Sequence, residues 1–170
     1  KTEEIRGIIQ VIWSFREDVD SNPDFQDKVY KLWFELSNLI STDTQEGRDT
    51  ASYLCRWFVF VNQIDDSNQD LLNKIAPYAG EQYNSHELLT SISRISNSNP
   101  IASGVLLEEV LKISAPEHSK EAIQQLLSNL VDSGADGEVQ AKIIVSGYLK
   151  YGVTHPASWL NKILVASSSG

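Results

Sequence analysis

Apolar residues recur every three to four positions along nearly the whole chain, and hardly any stretch alternates with a period of two. That is the periodicity of helices with one buried face, so the pattern predicts an all-α protein. A first helix, over about residues 2–18, places Ile5, Ile8, Ile9, Ile12 and Trp13 on one stripe. Asn22 and Pro23 open the second: asparagine accepts from otherwise unpartnered amides, and proline lacks only an amide that would have had no partner. Its stripe is Phe25, Val29, Leu32, Trp33, Leu36 and Ile40. A third helix, about 46–64, is apolar over more than half its circumference through Tyr53, Leu54, Trp57, Phe58, Val61 and Ile64, and is expected to be the most buried. Ser67 followed by Asp70 reads as a capping box for a fourth, which Pro77 breaks or kinks.

Beyond this point short helices come in pairs. Ser85 caps one with Leu88, Leu89, Ile92 and Ile95 inward, and Asn99-Pro100 starts another with Ile101, Val105, Leu107, Val110 and Leu111. Pro116 opens a seventh through Ala122, Ile123, Leu126, Leu127, Leu130 and Val131, ended by Gly134. An eighth holds Val139, Ile143, Ile144, Tyr148 and Leu149 and stops at Gly152. Thr154 with Pro156 starts the last, carrying Trp159, Leu160, Ile163 and Leu164. The expectation is eight or nine antiparallel helices. Ten of the fifteen aromatics fall in the first sixty residues, which divides the chain into an aromatic-rich bundle (1–65), a helical-repeat part (66–166) and a flexible tail (167–170). No long Pro/Gly/Ser linker separates the parts, so one continuous unit is expected.

The segments NPIASGVLLEEVLKIS, PEHSKEAIQQLLSNLVDSG and DGEVQAKIIVSGYLKYG, with Pro116 and Pro156 forty residues apart, resemble units of HEAT-type or armadillo-type α-solenoids. Such repeats run about 40 to 47 residues. The resemblance covers residues 84–166 and implies a HEAT-like superhelical stack that offers a surface to a protein partner. The whole chain also looks like the helical C-terminal regions of large multidomain bacterial proteins, such as signalling NTPases and defence proteins.

Charge narrows the partners. With 14 Lys and Arg against 23 Asp and Glu the formal charge is −9, which repels phosphate backbones and anionic lipid. No apolar run approaches the length of a membrane span. The single cysteine allows no intrachain disulfide and points to a reducing, cytoplasmic setting. A chain that starts at Lys1 and contains no methionine is expected to be a piece of a larger protein.

Candidate chemistry is sparse. Asp65, Asp66 and Asp70 form an acidic run similar to the metal-diphosphate motif of terpenoid synthases, from which its spacing departs by one residue. DSGADGE, residues 132–138, starts like a calcium loop, but Gly134 stands at its third position and Ile143 at its twelfth, where oxygen ligands are required. His86, His118 and His155 lack the close spacing of a zinc site. Cys55 lies in an apolar helix with no base in sequence, and adjacent Glu108 and Glu109 diverge by about 100°. No phosphate loop, dinucleotide fingerprint or nucleophile elbow occurs. Phe15, Phe34 and Phe60 fall off the main stripes of their helices and, with Arg56, are the candidate interaction surface. The expected function is non-catalytic protein interaction or scaffolding, without cofactor or metal, toward a protein partner or other domains of a parent chain. The alternatives are a small metal-dependent helical enzyme using Asp65, Asp66 and Asp70, or a small-molecule binder lined by Trp57 and Tyr53.

Overall fold

A computed structural model describes residues 2–80 and 82–170. The described residues form helices α1 (Thr2–Ser14), α2 (Arg16–Asp20), α3 (Pro23–Asn38), α4 (Gln45–Leu54), α5 (Gln69–Ile75), α6 (Gln82–Ser96), α7 (Pro100–Leu111), α8 (Lys120–Asp132), α9 (Ala135–Leu149) and α10 (His155–Ser168), with no strand. Tight 3₁₀ turns at Cys55–Phe60 and Ala76–Tyr78 follow α4 and α5. None of the described helices is long and apolar enough to cross a membrane. The all-α expectation holds, with ten α-helices in place of eight or nine.

The helix expected after Asn22-Pro23 is α3, and it starts where its chemistry demands, whereas the expected first helix is divided at Phe15 into α1 and α2. Asn22 Oδ1 accepts the amides of Asp24 and Phe25 at 3.1 and 3.4 Å, and Pro23 occupies the first turn. That start aims Val29, Trp33 and Leu36 inward. Trp33 is fully enclosed, edge-on to Trp57 at 6.1 Å and to Phe58 at 5.5 Å, and stacked against Tyr30 at 6.4 Å. Trp57 Nε1 donates to the Ile9 carbonyl at 3.2 Å, which ties α1 to this knot.

The expected third helix does not run to residue 64. It tightens into the 3₁₀ turn Cys55–Phe60, and residues 61–65 are irregular. Three residues per turn align positions i and i+3. Phe60 is thereby brought over Trp57, and Val61 over Phe58, and all four are buried. Trp57, Phe58 and Phe60 find cover on several sides at once in this geometry, the turn packing against α2, α4 and α6.

From α4 onward the helices form two rows. One contains α6, α8 and α10, each packed on the next; α5, α7 and α9 pack likewise, and from α6 onward sequential helices touch across the rows. His86 meets Ser119 and Ser96 meets Asn129, each pair 33 residues apart, at the two ends of α6 and α8. A constant offset at both ends requires parallel helices within a row and opposed helices between rows. Glu108–Gln140 and Tyr148–Pro116 repeat it with 32, and so do Ser52–Asn84 with 32 and Val61–Arg94 with 33. The last two pairs join α4 and its 3₁₀ turn to α6, so the rows continue back through the compositional division at residue 65.

Several helix starts differ from the pattern reading. α6 begins at Gln82, and Ser85 lies inside it, its hydroxyl donating to the Ala79 carbonyl. α8 begins at Lys120, because Pro116 is buried in the preceding loop with its carbonyl held by Tyr148 Oη at 2.7 Å. The starts of α8 and α10 are therefore 35 residues apart, shorter than the forty between Pro116 and Pro156. In α9 Val139 and Ile143 face outward, and the inward face is Gly137, Gln140, Ala141, Ile144, Val145 and Tyr148. Small residues set that face: a Cβ on Gly137 would collide with the Leu130 carbonyl, so α9 approaches α8 backbone to backbone. Gly134 makes the turn between them with φ of 103°, a conformation L side chains rarely adopt.

Candidate functional site

The acidic run does not form the expected capping box. Asp65 Oδ1 accepts from the Ser67 amide at 2.9 Å and from the Ser67 hydroxyl at 2.5 Å, Oδ2 accepts Gln63 Nε2 at 2.9 Å, and Asn68 precedes α5. An aspartate that satisfies a turn two residues on is an Asx turn, and it outcompetes the box because Asp65 reaches the Ser67 amide first. The Ser67 hydrogen bonds, the hydroxyl's foremost, lower the Asp65 pKa from its ordinary value. The unfolded chain therefore takes up this proton first as pH falls. The stabilisation is fully present above the ordinary carboxylate range, about pH 4, and is lost as pH falls through the lowered folded value. Asp65→Asn is expected to destabilise the protein at pH 7 and to match the wild type in strong acid; an equal difference across a pH series of urea unfolding curves contradicts this.

Facing Asp65 across an open groove of about 780 Å³ stands one face of α3. Asp27, Tyr30, Lys31, Phe34 and Glu35 line it at helical spacing, opposite Asn62, Gln63, Asp65, Ser67, Asn68 and Leu71. Tyr30 is half-buried and donates to the Phe60 carbonyl at 2.6 Å, and burial pushes its phenol pKa up. Phe34 is 53% exposed, a large apolar ring left open on an otherwise polar face. Asp27 and Glu35 have no hydrogen-bond or ion-pair partner among the described residues. The volume lies within the range of small-ligand sites, about 300–1,000 Å³.

The four sequence candidates separate. Phe34 is in this groove, whereas Phe15, also exposed, lies at the α1–α2 junction. Phe60 is 1% exposed and belongs to the core, for the eclipsing reason given above, so it offers nothing to a partner. Arg56 bonds Asn84 Oδ1 at 3.2 Å and Gln10 Oε1 at 3.0 Å and lies over the Tyr53 ring, cross-linking α1 and α6. Trp57 is fully buried, and a pocket lined by it and Tyr53 is not open to a ligand. Tyr30, Asp27, Lys31 and Glu35 escaped the sequence reading, which followed the buried stripe of α3; the signal was an aromatic pair, Tyr30 and Phe34, at i and i+4 between charges.

Other candidate chemistry disperses. No group of three or more His, Cys, Asp or Glu among the described residues could hold a metal ion. Asp132 and Asp136 are exposed at the α8–α9 turn, Glu109 pairs with Lys112 at 2.6 Å, and Glu108 accepts from Gln140. His86 is bonded to Ser119 at 2.8 Å, and His155 stacks on Trp159 at 6.0 Å. Cys55 is fully buried with its thiol pKa raised by desolvation, and Sγ lies 3.4 Å from the carbonyls of Ala51 and Ile75. A thiol reagent is expected to leave it untouched in the native protein and to react in full on unfolding, whereas rapid native labelling counts against this packing.

No protein-family model, curated protein or solved structure matches the chain.

Proposed function

We propose that this chain is a non-catalytic scaffold, a HEAT-like stack of antiparallel helical hairpins that binds a protein partner or a neighbouring domain of a larger cytoplasmic protein. The observation that carries the reading is an offset of 32 or 33 residues that recurs in bridging pairs from Ser52–Asn84 to Glu108–Gln140. A regular register of this kind supports the stacking of like units, each burying its neighbour's face and together presenting a continuous outer surface. Dispersed titratable groups and a net charge of −9 fit a protein partner better than a reaction centre or a nucleic acid.

Affinity capture tests it: the chain is used as bait in lysate of its source organism, against a control with scrambled exposed residues and an intact core. Specific recovery of one protein at near-equal amounts supports the reading, and recovery of none at high bait loading opposes it. The groove beside α3 favours a second reading, a small-molecule-binding domain, since its volume and its two aromatics suit such a ligand. Quenching of tryptophan fluorescence by a metabolite extract, abolished by Phe34→Ala, supports that reading over the first.

A further inference from the structure

We propose that the groove between α3 and residues 62–71 docks a basic peptide segment of a partner protein, with one large apolar side chain laid on Phe34 and Leu71. The proposal rests on the interaction reading above and gives that partner its chemistry.

Charge and shape both point to such an occupant. Asp27 and Glu35 are eight residues apart on α3, so their carboxylates bracket about 12 Å of groove. Asp65 stands on the opposite wall, and the Ser67 hydrogen bonds keep it ionised. Three carboxylates thus line the groove with one ammonium, that of Lys31, and the Arg94 guanidinium near Tyr30 is held back at the Val61 carbonyl at 2.8 Å. Neither Asp27 nor Glu35 has a hydrogen-bond or ion-pair partner among the described residues, so both acceptors remain available to Lys or Arg of a ligand. Between them the Phe34 ring is more than half exposed, over a Leu71 that is nearly closed off. An apolar side chain set there gains contact on two sides and excludes water from the flanking ion pairs. On the far wall the side-chain carbonyl oxygens of Asn62 and Gln63 are placed to accept from a peptide backbone, while Asn68 is already held by the Asp65 amide and the Gln63 carbonyl. A free polyamine answers the carboxylates but brings no bulky group to Phe34.

The test is a selection of random 12-residue peptides displayed on phage against the full chain, with the strongest sequences measured by fluorescence polarisation. The expected winners carry net positive charge and a Leu, Met, Phe or Trp. Their affinity is expected to fall at least tenfold with Phe34→Ala and with Glu35→Lys, to rise with Lys31→Glu, and to change less than twofold with Glu121→Lys on α8. Circular dichroism confirms that these exposed substitutions leave the fold intact. Neutral or acidic winners, or binding indifferent to Phe34→Ala, overturn the proposal, as does displacement by spermidine that ignores Phe34→Ala. Peptides or captured proteins that bind yet respond only to substitutions outside the groove overturn the groove assignment and leave the interaction reading standing. Empty selections overturn the groove proposal, and the lysate capture then decides the broader reading by itself.

Discussion

Trp33→Ala is expected to lower the unfolding free energy by about 3–5 kcal/mol, the range for emptying the space of a large buried aromatic. Trp33 has no exposed surface and contacts Trp57, Phe58 and Tyr30, so its loss leaves a cavity where α3 meets the 3₁₀ turn. Trp33→Phe sharpens the test. Trp33 Nε1 is buried without a hydrogen-bond partner, so the phenyl ring removes an unsatisfied donor together with some packing area. It is expected to cost less than half as much as alanine. Trp57→Phe is expected to cost more than Trp33→Phe, because it removes the hydrogen bond from Trp57 Nε1 to the Ile9 carbonyl, whereas Trp33 Nε1 makes none. Urea unfolding followed by circular dichroism ranks the three. A Trp33→Ala protein within about 1 kcal/mol of wild type, below the range for such cavities, contradicts the packing.

Gly137→Ala is expected to cost about 3 kcal/mol, the upper end of overpacking, because the new methyl meets the backbone carbonyl of Leu130 and neither helix can yield separately. The comparison is Gly7→Ala in the middle of α1, where a Cβ meets nothing and the substitution is expected to stabilise by about 0.5–1 kcal/mol. The two substitutions are chemically identical, and only the approach of α9 to α8 distinguishes them. Similar unfolding midpoints for both variants count against that approach.

The helical class was legible because Ile5, Ile9, Val29, Trp33, Leu36, Leu88, Leu89 and Ile92 stand at three-to-four spacing and are buried as that spacing implies. Helix starts were legible at Asn22-Pro23, where a capping side chain and a proline act together, and at Asn99-Pro100, where the proline stands in the first turn without a side-chain cap. They were not where tertiary contacts decide: Pro116 is held in a loop by a tyrosine 32 residues away, and nothing local to it says so. The inward face of α9 escaped because glycine and alanine mark it, and hydropathy patterns weight bulk over closeness of approach. Of the candidate surface, exposed Phe34 and Phe15 were legible as apolar residues off their stripes. Phe60 was not, since its position off an α-helical stripe becomes a buried one in a 3₁₀ turn. The groove itself joins α3 to residues 62–71, beyond the whole of α4 and its 3₁₀ turn, and no local pattern encodes that pairing.

The aromatic front half and the hairpin rows pack as one continuous unit, joined through α4, the Cys55–Phe60 turn and α6. Native-state amide hydrogen exchange, read by mass spectrometry across increasing urea, tests it most directly. One continuous unit predicts that the slowest amides of α3, α6, α8 and α9 converge on a single opening free energy. Separate plateaus for residues before and after position 65 would contradict it and make the chain two independently unfolding pieces.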